Sequence, residues 1–410
     1  MRIAIDYTAA IRQGAGIGRY TRSLVTALLA QINQSESEFA STELALFYAG
    51  GGLTTSQLTT LNNLEHENHA HVKQVRLPLA ERDLIRLWHR LRVPVPLEVL
   101  AHLNFNRNLL AKNPLGSLDV VHSPDFALPP HLHGKSLVTI HDLSFLVVPE
   151  CAEEGLRKYL TATVPRAVAK ADKIIAVSQH TKLDLINLLH VSDEKIEVVY
   201  NGVDRHFQPI SNRGALEEVR QRLDLPDHFV LFVGTIEPRK NLVRLVEAWQ
   251  QVKQSEVGRG RKLVLAGRRG WLYEPIFQRI TELGLRDEVI WLDFVADADL
   301  PALYNLADCF AFPSIYEGFG IPALEAFACG TPVVTADNSA LPEIFKDVAW
   351  LVKAESVADL AQALIEALQE QASAGSKLQA YRAKGLERAA TFSWEQAAGQ
   401  MLAVYQGLMR

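Results

Sequence analysis

The sequence has 410 residues, 48% of them hydrophobic and 22% charged, and its formal net charge is −5 at pH 7. Its length favours two or three domains, and its acidic balance argues against a nucleic-acid-binding protein, which usually carries a surplus of Lys and Arg. The three cysteines, Cys151, Cys309 and Cys329, form neither a disulfide framework nor a metal-ligand spacing. An acid follows the N-terminus too soon for a signal peptide, and no apolar run is long enough to span a bilayer. We therefore expect a cytoplasmic α/β protein.

The chain begins with a short apolar run, residues 2–6, which predicts a buried strand. Gly14, Gly16 and Gly18 follow, and a helical pattern then starts near Tyr20. A strand, a glycine loop and a helix are together typical of dinucleotide-binding oxidoreductases, which gives one alternative function. However, the loop is too long for that fingerprint, its glycines are spaced G-x-G-x-G, and no acidic strand-end residue follows about 20 residues later. We therefore expect no nicotinamide cofactor.

Two stretches have a superficial likeness to metal sites. His66, His69 and His71 are close in sequence but lack the i,i+4 spacing of helical ligands, which favours a solvated loop. Asp297 and Asp299 form an Asp-x-Asp pair, but the Leu-Pro that follows predicts a helix start with Asp299 as its N-cap. We therefore predict no metal site.

Residues 79–92 predict a basic amphipathic helix. Four apolar residues fall on one face and three arginines on the opposite face: Leu84, Leu87, Trp88 and Leu91, against Arg82, Arg86 and Arg90. Helices of this kind can lie on anionic membrane surfaces, at the inner face of a membrane in a cytoplasmic protein. The alternative is an ordinary helix that packs on a sheet with its arginines in water, and the sequence leaves both interpretations open.

A histidine at the end of a buried strand is a candidate functional residue. Residues 137–140 form an apolar run, and His141 and Asp142 follow directly. Parallel strands of this kind end in polar residues where they open onto a ligand site, and an imidazole there can exchange a proton or a hydrogen bond with a ligand. His122 also ends a short apolar run but has no such neighbour, so we interpret it as structural.

The second half of the chain repeats the alternation of strand and helix, after a polar turn that ends near residue 208. Residues 229–233 predict a strand that ends at Gly234, and Arg239 and Lys240 lie where the following loop becomes a helix. An arginine fork and a lysine point charge at such a position suit a diphosphate. A solvated pair of charges is the alternative. Alternating strands and helices in both halves predict parallel, Rossmann-like sheets.

The most informative stretch follows the buried run at residues 309–312. It is a glycine loop with Gly318 and Gly320, then Pro322 in the first turn of a short helix that Gly330 ends. The loop leaves the carboxyl end of a strand, where open α/β sheets bind ligands, and the helix N-terminus favours an anion such as phosphate. Glu317 and Glu325 cannot hold a phosphate, but they suit hydroxyl groups on either side of one.

This stretch, from Glu317 through Gly-Phe-Gly-Ile-Pro to Glu325 and Cys-Gly-Thr-Pro, resembles the donor-site signature of retaining glycosyltransferases of family 4, also called group 1. The resemblance extends over nearly the whole chain. It implies the GT-B fold, an α/β architecture of two Rossmann-like parallel-sheet domains facing a central cleft. We expect an acceptor-side domain at 1–208, a nucleotide-sugar domain at 209–390, and a helix at 391–410 that crosses back to the first domain.

The resemblance also implies roles for individual residues. Glu317 contacts the transferred sugar, Glu325 the ribose, Arg239 and Lys240 the leaving diphosphate, and His141 the sugar and diphosphate. The expected catalytic residues are His141, Arg239, Lys240 and Glu317. The expected donor-binding residues are Gly16, Gly18, Gly234, Gly318, Phe319, Gly320, Ile321 and Glu325. The family needs no metal for this chemistry, and we expect no cofactor.

The implied reaction is transfer of a sugar from a nucleotide-sugar donor to a hydroxyl of a glycan or lipid-linked acceptor, with the anomeric configuration retained. The run Gly234–Asn241, with Ile140–Phe145, is most similar to the mannosyltransferases of polysaccharide assembly, which favours GDP-mannose. UDP-glucose or another hexose donor is the alternative. A nucleotide-sugar epimerase, an NAD-dependent dehydrogenase and a silent nucleotide-binding module are the remaining ones.

Overall fold

The computed structural model describes residues 1–14, 16–34, 37–68, 70–105 and 114–410. Over these residues the chain divides into two compact units. The first contains Met1–Leu143, Lys158–Asn201 and Trp394–Arg410, and the second contains Ser144–Arg157 and Gly202–Ser393. The domain limits expected from the sequence, 1–208, 209–390 and 391–410, stay a prediction. They place residues 144–157 in the first domain, whereas the structure groups these residues with the second unit.

The strands of the described residues are short and mostly buried. In chain order they are β1 (Arg2–Asp6), β2 (Glu43–Ala49), β3 (Val72–Leu77), β4 (Val120–Ser123), β5 (Lys135–Ile140), β6 (Lys173–Ala176), β7 (Ile196–Val198), β8 (Phe229–Val233), β9 (Lys262–Ala266), β10 (Val289–Leu292), β11 (Cys309–Phe312), β12 (Val333–Ala336) and β13 (Trp350–Val352). Their near-continuous apolar runs are what a parallel sheet covered on both faces requires.

Helices connect most of these strands. They are α1 (Thr8–Arg12), α2 (Ile17–Ile32), α3 (Thr55–Glu67), α4 (Glu81–Ile85), α5 (Leu97–Phe105), α6 (Ser144–Val147), α7 (Glu154–Lys170), α8 (Gln179–Leu189), α9 (Arg213–Arg222), α10 (Leu242–Gln254), α11 (Glu274–Glu282), α12 (Leu300–Leu306), α13 (Ile321–Ala328), α14 (Leu341–Phe345), α15 (Val357–Ser373), α16 (Ser376–Ala390) and α17 (Trp394–Leu408). Single 3-10 turns occur at Pro149–Cys151, Asp193–Lys195 and Pro238–Lys240.

Each unit is built on one parallel sheet. Over the described residues, the first sheet has the strand order β3-β2-β1-β4-β5-β6-β7 and the second the order β10-β9-β8-β11-β12-β13. Every neighbouring pair of these strands is parallel, for example Ile3 opposite Val120 and Phe310 opposite Leu231. The expectation of an α/β protein with two Rossmann-like parallel sheets is therefore confirmed.

Both sheets reverse their strand order at one point, and this point locates a ligand site. The reversal lies between β1 and β4 in the first sheet and between β8 and β11 in the second. On either side of such a switch point the connecting helices lie on opposite faces, so the loops diverge and leave a crevice at the carboxyl ends of the strands. In the second unit, the loops after β8 and β11 carry the predicted Arg239, Lys240 and Glu317.

The predicted amphipathic helix at residues 79–92 is only partly regular. It divides into α4 and one π-helical turn, Arg86–Arg90, in which the N–H of Leu91 donates to the carbonyl of Arg86 at 2.8 Å. The side chains of Leu84 and Trp88 are buried in the core of the first unit, with Leu87 packed against it. Most of the predicted apolar face therefore lies inside the protein, whereas Leu91 is 61% exposed.

Candidate active site

The loops after β8 and β11 are joined to each other by hydrogen bonds. The N–H of Ile315 donates to the carbonyl of Arg239 at 2.8 Å. Asn241, which has a left-handed backbone with φ of 61°, donates from Nδ2 to the carbonyl of Pro313 at 2.9 Å. A second bond from Nδ2 reaches the carbonyl of Ala354 at 2.7 Å. The backbone that carries the charged side chains is therefore held in place at the switch point.

Arg239 is held on both sides of its guanidinium. Its Nη1 donates to the carbonyl of Tyr316 and to Oε2 of Glu317, each at 2.9 Å. Its Nη2 donates to Oε1 of Glu237, also at 2.9 Å. Because the guanidinium is planar and its donors point in fixed directions, these three contacts fix its orientation.

Lys240 and Glu317 form the buried centre of the same network. Lys240 is 8% exposed and donates from Nζ to Oε1 of Glu317 at 2.5 Å, while Nζ lies 5.1 Å from the centre of the Phe312 ring. Burial by itself would raise the pKa of Glu317, but the positive charges of Arg239 and Lys240 outweigh it and lower that pKa to about 2. Glu317 is therefore a carboxylate at every pH of physiological interest.

The glycine loop turns sharply into helix α13. Gly320 precedes the helix with φ of 101°, a left-handed conformation in which a side chain is strained. A Cβ there would also lie 2.9 Å from Leu341 and 3.0 Å from Phe345, so packing and backbone both require glycine. Gly318 is buried, Ile321 is the first residue of the helix, and the Phe319 ring packs edge-on against Phe392 at 5.6 Å.

Two further predicted donor-binding residues, Glu325 and Gly234, lie in the second unit. Glu325 is 1% exposed and accepts a hydrogen bond from the hydroxyl of Tyr304 at 2.9 Å. The N–H of Gly234 donates to the carbonyl of Ala266 at 2.9 Å, which commits it to the sheet. The roles of Glu325 and Gly234 in donor binding stay predictions.

His141 and its neighbours form a different environment in the first unit. Its Nε2 lies 2.8 Å from the carbonyl of Pro124, and since a carbonyl only accepts, Nε2 carries the proton. The Tyr20 and Phe126 rings meet the imidazole edge-on at 4.7 Å and 5.6 Å. Burial lowers the pKa of His141, and the Pro124 hydrogen bond and the charge of Asp142 offset this only in part. The neutral ring therefore keeps Nδ1 as an acceptor.

A buried hydrogen-bonded chain runs beside this histidine. His122 is fully buried, with Nδ1 2.7 Å from the hydroxyl of Tyr405 and Nε2 2.9 Å from Oγ1 of Thr139. The hydroxyl of Tyr20 lies 3.4 Å from the same Oγ1. Burial lowers the pKa of His122 to about 3, and the charge of His141 lowers it further. His122 thus joins α17 to the strands of the first sheet as a neutral hydrogen-bonding group.

The predicted glycines of the first loop differ in what they require. Gly16 precedes α2 with φ of 58° and has open space where a Cβ would lie. Gly18 lies on α2, and a Cβ there would collide with the carbonyls of Gln13 and Ala9. Position 18 therefore requires glycine because of packing. Ala15, between Gly14 and Gly16, lies outside the described residues.

Within the described ranges, no group of three or more His, Cys, Asp or Glu side chains is arranged to hold a metal ion. Asp299 lies at the start of α12 as expected, but its side chain makes no cap hydrogen bond and instead accepts from Nη2 of Arg222 at 2.6 Å. The cap prediction for this side chain is therefore wrong, because an ion pair with α9 engages it instead. His69 lies outside the described residues.

Among the described residues, no helix combines the length and the apolar character needed to cross a membrane.

Some residues of the charged network are not identified from the sequence. Glu237 is 2% exposed and supports Arg239, and Ser339 accepts the N–H of Glu317 at 2.9 Å through its Oγ. The place of Glu237 before Pro238 indicates only an extended backbone, which it has, with φ of −147° and ψ of 160°. Ser339, after β12, has no comparable signal.

Two family models match the chain. The model described as "Glycosyl transferases group 1" matches residues 216–387, and "Glycosyltransferase Family 4" matches residues 53–207. Among curated relatives, the O-antigen chain mannosyltransferase B of Escherichia coli is 31% identical over 288 residues, which is 70% of this chain and 74% of that protein. The serotype-specific mannosyltransferase WbdA of Escherichia coli is also 31% identical, over 64% of this chain but only 32% of its own length.

The fold comparison agrees with the family models. Sucrose-phosphate synthase from Thermosynechococcus elongatus superimposes with a TM-score of 0.72 at 22% identity, over 100% of this chain and 99% of that one. At that identity the likeness shows the fold, which is GT-B. Since the family models match most of both halves and a mannosyltransferase aligns over most of its length, the chain belongs to the group 1, family 4 glycosyltransferases and is a glycosyltransferase.

Proposed function

We propose that this glycosyltransferase transfers mannose from GDP-mannose to a hydroxyl of a glycan or lipid-linked acceptor, with the anomeric configuration retained. The observation that carries the proposal is the network of half-buried Arg239 with buried Lys240 and Glu317, on the two loops that flank the switch point of the second sheet. It presents oriented cations beside the N-terminus of α13, the arrangement that a nucleoside diphosphate needs.

The cations have their main effect as the glycosidic bond breaks. Negative charge then develops on the departing diphosphate, and charged donors that are already oriented in a water-poor site stabilise it without reorganisation. Arg239 supplies a fixed fork and Lys240 a point charge. Glu317 binds hydroxyls of the transferred sugar, and Glu325 the ribose, as the family resemblance implies. The donor contact of His141 stays an expectation from the family resemblance.

Retention by front-face departure is favoured over a double displacement. A double displacement needs a nucleophilic carboxylate. Glu317 is engaged by two cations that lower its pKa to about 2, and a carboxylate that binds protons so weakly is a weak nucleophile. In front-face departure, an oxygen of the leaving phosphate takes the acceptor proton. A trapped covalent glycosyl-enzyme would overturn this mechanism.

The choice of mannose is supported by the relatives. Both of the Escherichia coli proteins described above are named mannosyltransferases, and they align with more than half of this chain. UDP-glucose or another hexose donor is the alternative, with the same fold and chemistry. An epimerase or an NAD-dependent oxidoreductase has less support, since the family is one of transferases.

The test is a thermal-shift screen of the protein with GDP-, UDP-, ADP- and dTDP-sugars, followed by product analysis. A ligand that binds only the folded state raises the unfolding temperature, so the preferred donor gives the largest shift. We expect GDP-mannose to give it, and NMR of the product to show the donor's anomeric configuration. A larger shift with UDP-glucose would replace the donor, and an inverted product would reject retention.

We also propose that residues 79–92 make a peripheral contact with an anionic membrane. The structure limits how this occurs, because Leu84 and Trp88 are buried and cannot insert. The outward side carries four exposed arginines, Arg82, Arg86, Arg90 and Arg92. Leu91 is 61% exposed beside them. Basic side chains around an exposed apolar residue suit an anionic lipid surface.

Vesicle sedimentation tests this contact. We expect binding to vesicles that contain phosphatidylglycerol and none to pure phosphatidylcholine. The double variant Arg86→Gln with Arg90→Gln should lose it. A matched control, Arg213→Gln with Arg259→Gln, removes two exposed arginines of the second unit and should bind as the wild type does. Equal binding to both vesicle types would reject the contact.

A further inference from the structure

The network at the switch point contains a carboxylate with no assigned role. Glu237 is 2% exposed, and its Oε1 accepts from Nη2 of Arg239 at 2.9 Å. It lies only two residues before Arg239, at the entry to the 3-10 turn Pro238–Lys240. The fixed φ of Pro238 sets the direction of this turn, so that the carboxylate and the guanidinium meet across it.

Glu237 and Glu317 hold Arg239 in different ways. Glu317 comes from the loop after β11 and shares its two oxygens between Arg239 and Lys240. Glu237 comes from the same loop as Arg239 and is the more deeply buried of the two carboxylates, at 2% against 7% exposure. A ligand that draws Glu317 towards sugar hydroxyls leaves the pair of Arg239 and Glu237 in place.

The charges of this network balance. Arg239 and Lys240 contribute two positive charges, and Glu237 and Glu317 contribute two negative ones. A diphosphate that enters such a site meets cations whose fields are already offset, so it is held less tightly than by the two cations alone. A transferase must release its nucleoside diphosphate in every cycle, and excessive affinity for that product slows turnover.

We propose that Glu237 is a positioning residue that orients Arg239 and limits the affinity of the site for the nucleoside diphosphate product. The inference rests on the proposed function in that Arg239 faces a diphosphate. Its consequence has a definite sign: removing the charge of Glu237 while keeping its shape makes the product bind more tightly. A side chain with a merely structural role would, when changed, leave binding equal or weaker.

Glu237→Gln makes this change with little alteration of geometry, because the amide oxygen still accepts from Nη2. We expect it to bind GDP and UDP about fivefold more tightly than the wild type, since one negative charge near the diphosphate is gone. Glu237→Ala removes the charge and the acceptor together. It should lower kcat about tenfold through loss of orientation.

The experiment is calorimetric titration of the full chain with GDP and with UDP, in the wild type, Glu237→Gln and Glu247→Gln. Glu247 is the matched control, because its Oε1 accepts from Nε of Arg279 at 2.8 Å in an ion pair of the same unit. That variant should bind as the wild type does. Tighter binding in Glu237→Gln alone supports the inference, and equal or weaker binding overturns it.

Nucleotide binding by the wild type and a second variant, Glu237→Asp, distinguish failure of the proposed function from failure of the inference. If neither nucleotide binds the wild type, the proposed function fails, whereas normal wild-type binding without tightening in Glu237→Gln rejects only the inference. Should Glu237→Gln not fold, Glu237→Asp decides, because it keeps the charge with a shorter side chain. Its affinity should stay within about twofold of the wild type while kcat falls, and tighter binding would contradict the inference.

Discussion

The charged network around Lys240 and Glu317 and the hydrogen-bonded chain around His122 are both buried, but they meet the cost of burial in opposite ways. In the second unit, cations and carboxylates pair at 2.5 to 2.9 Å and keep their charges. In the first unit, two histidines remain neutral, and His122 bonds to Tyr405 and Thr139. Burial shifts the pKa of a group in the direction that favours its neutral form, unless a nearby opposite charge outweighs this effect.

This difference indicates which region responds to charge in a ligand. The paired charges of the second unit can be redistributed when an anion arrives, so they can serve a reaction in which negative charge develops. The neutral chain of the first unit fixes the position of a proton, since Nε2 of His141 is committed to the carbonyl of Pro124 at 2.8 Å. We expect substitutions in the charged network to affect turnover and substitutions in the chain around His122 to affect stability.

The largest expected effect follows from Lys240→Ala. Without Lys240 the departing diphosphate loses a buried cation, and removal of one such transition-state contact typically lowers kcat by about 10²- to 10³-fold. Steady-state kinetics with the preferred donor measure the effect. Lys253→Ala, which breaks an ion pair with Glu288 in the same unit, is the control and should keep near-normal turnover. Near-normal turnover in a folded Lys240→Ala would contradict the site assignment.

A smaller loss of turnover is expected for Glu317→Gln, about 10²-fold, because the sugar loses a charged hydrogen-bond acceptor. Binding of GDP or UDP should persist, since Arg239 and Lys240 remain. The pKa of Glu317 is lowered to about 2, so its stabilising effect is present above its ordinary value of 4.5 and is lost as the pH falls towards 2. Activity from pH 5 to 8 should therefore show no titration of Glu317. Loss of nucleotide binding along with turnover would count against the sugar contact.

The smallest effect concerns His122→Gln, which should change stability and leave donor kinetics nearly unaltered. The pKa of His122 is about 3 in the folded state, below its ordinary 6.5, so the unfolded chain binds more protons and wild-type stability falls as the pH drops from 7. The variant lacks this titration. Its destabilisation relative to the wild type should therefore be smaller at pH 5 than at pH 7 by roughly 2 kcal/mol. Urea unfolding at both pH values measures it, and a difference that does not change with pH would refute the neutral buried histidine.

Most of the fold follows from sequence patterns. Apolar runs such as Phe229–Val233 and Cys309–Phe312 predict buried strands, and their alternation with helices predicts parallel sheets. The π-helical turn at Arg86–Arg90 is not predicted, because the side-chain pattern there suits an ordinary helix and the extra residue per turn depends on packing. Asp299 occupies its predicted place, but its side chain pairs with Arg222, a partner that is distant in sequence.

The charged site is predictable only in part. Arg239, Lys240 and Glu317 lie in loops whose residue types favour a diphosphate site. Their mutual contacts depend on tertiary structure, because Glu317 follows Arg239 by 78 residues and Lys240 by 77 residues in the chain. The sequence around Glu237 is typical of a solvated acid. In the structure Glu237 is only 2% exposed, because tertiary packing buries it. Likewise, nothing in the residues near Glu325 indicates that its carboxylate meets the hydroxyl of Tyr304.

The central claim is that Arg239 and Lys240 bind the diphosphate of the donor. Calorimetric titration of GDP and UDP into the wild type and Lys240→Ala tests it without depending on the acceptor. We expect the preferred nucleotide to bind the wild type and to bind Lys240→Ala about 30-fold more weakly, as loss of a charged hydrogen bond of ~2 kcal/mol implies. Equal affinity in the two proteins would contradict the account.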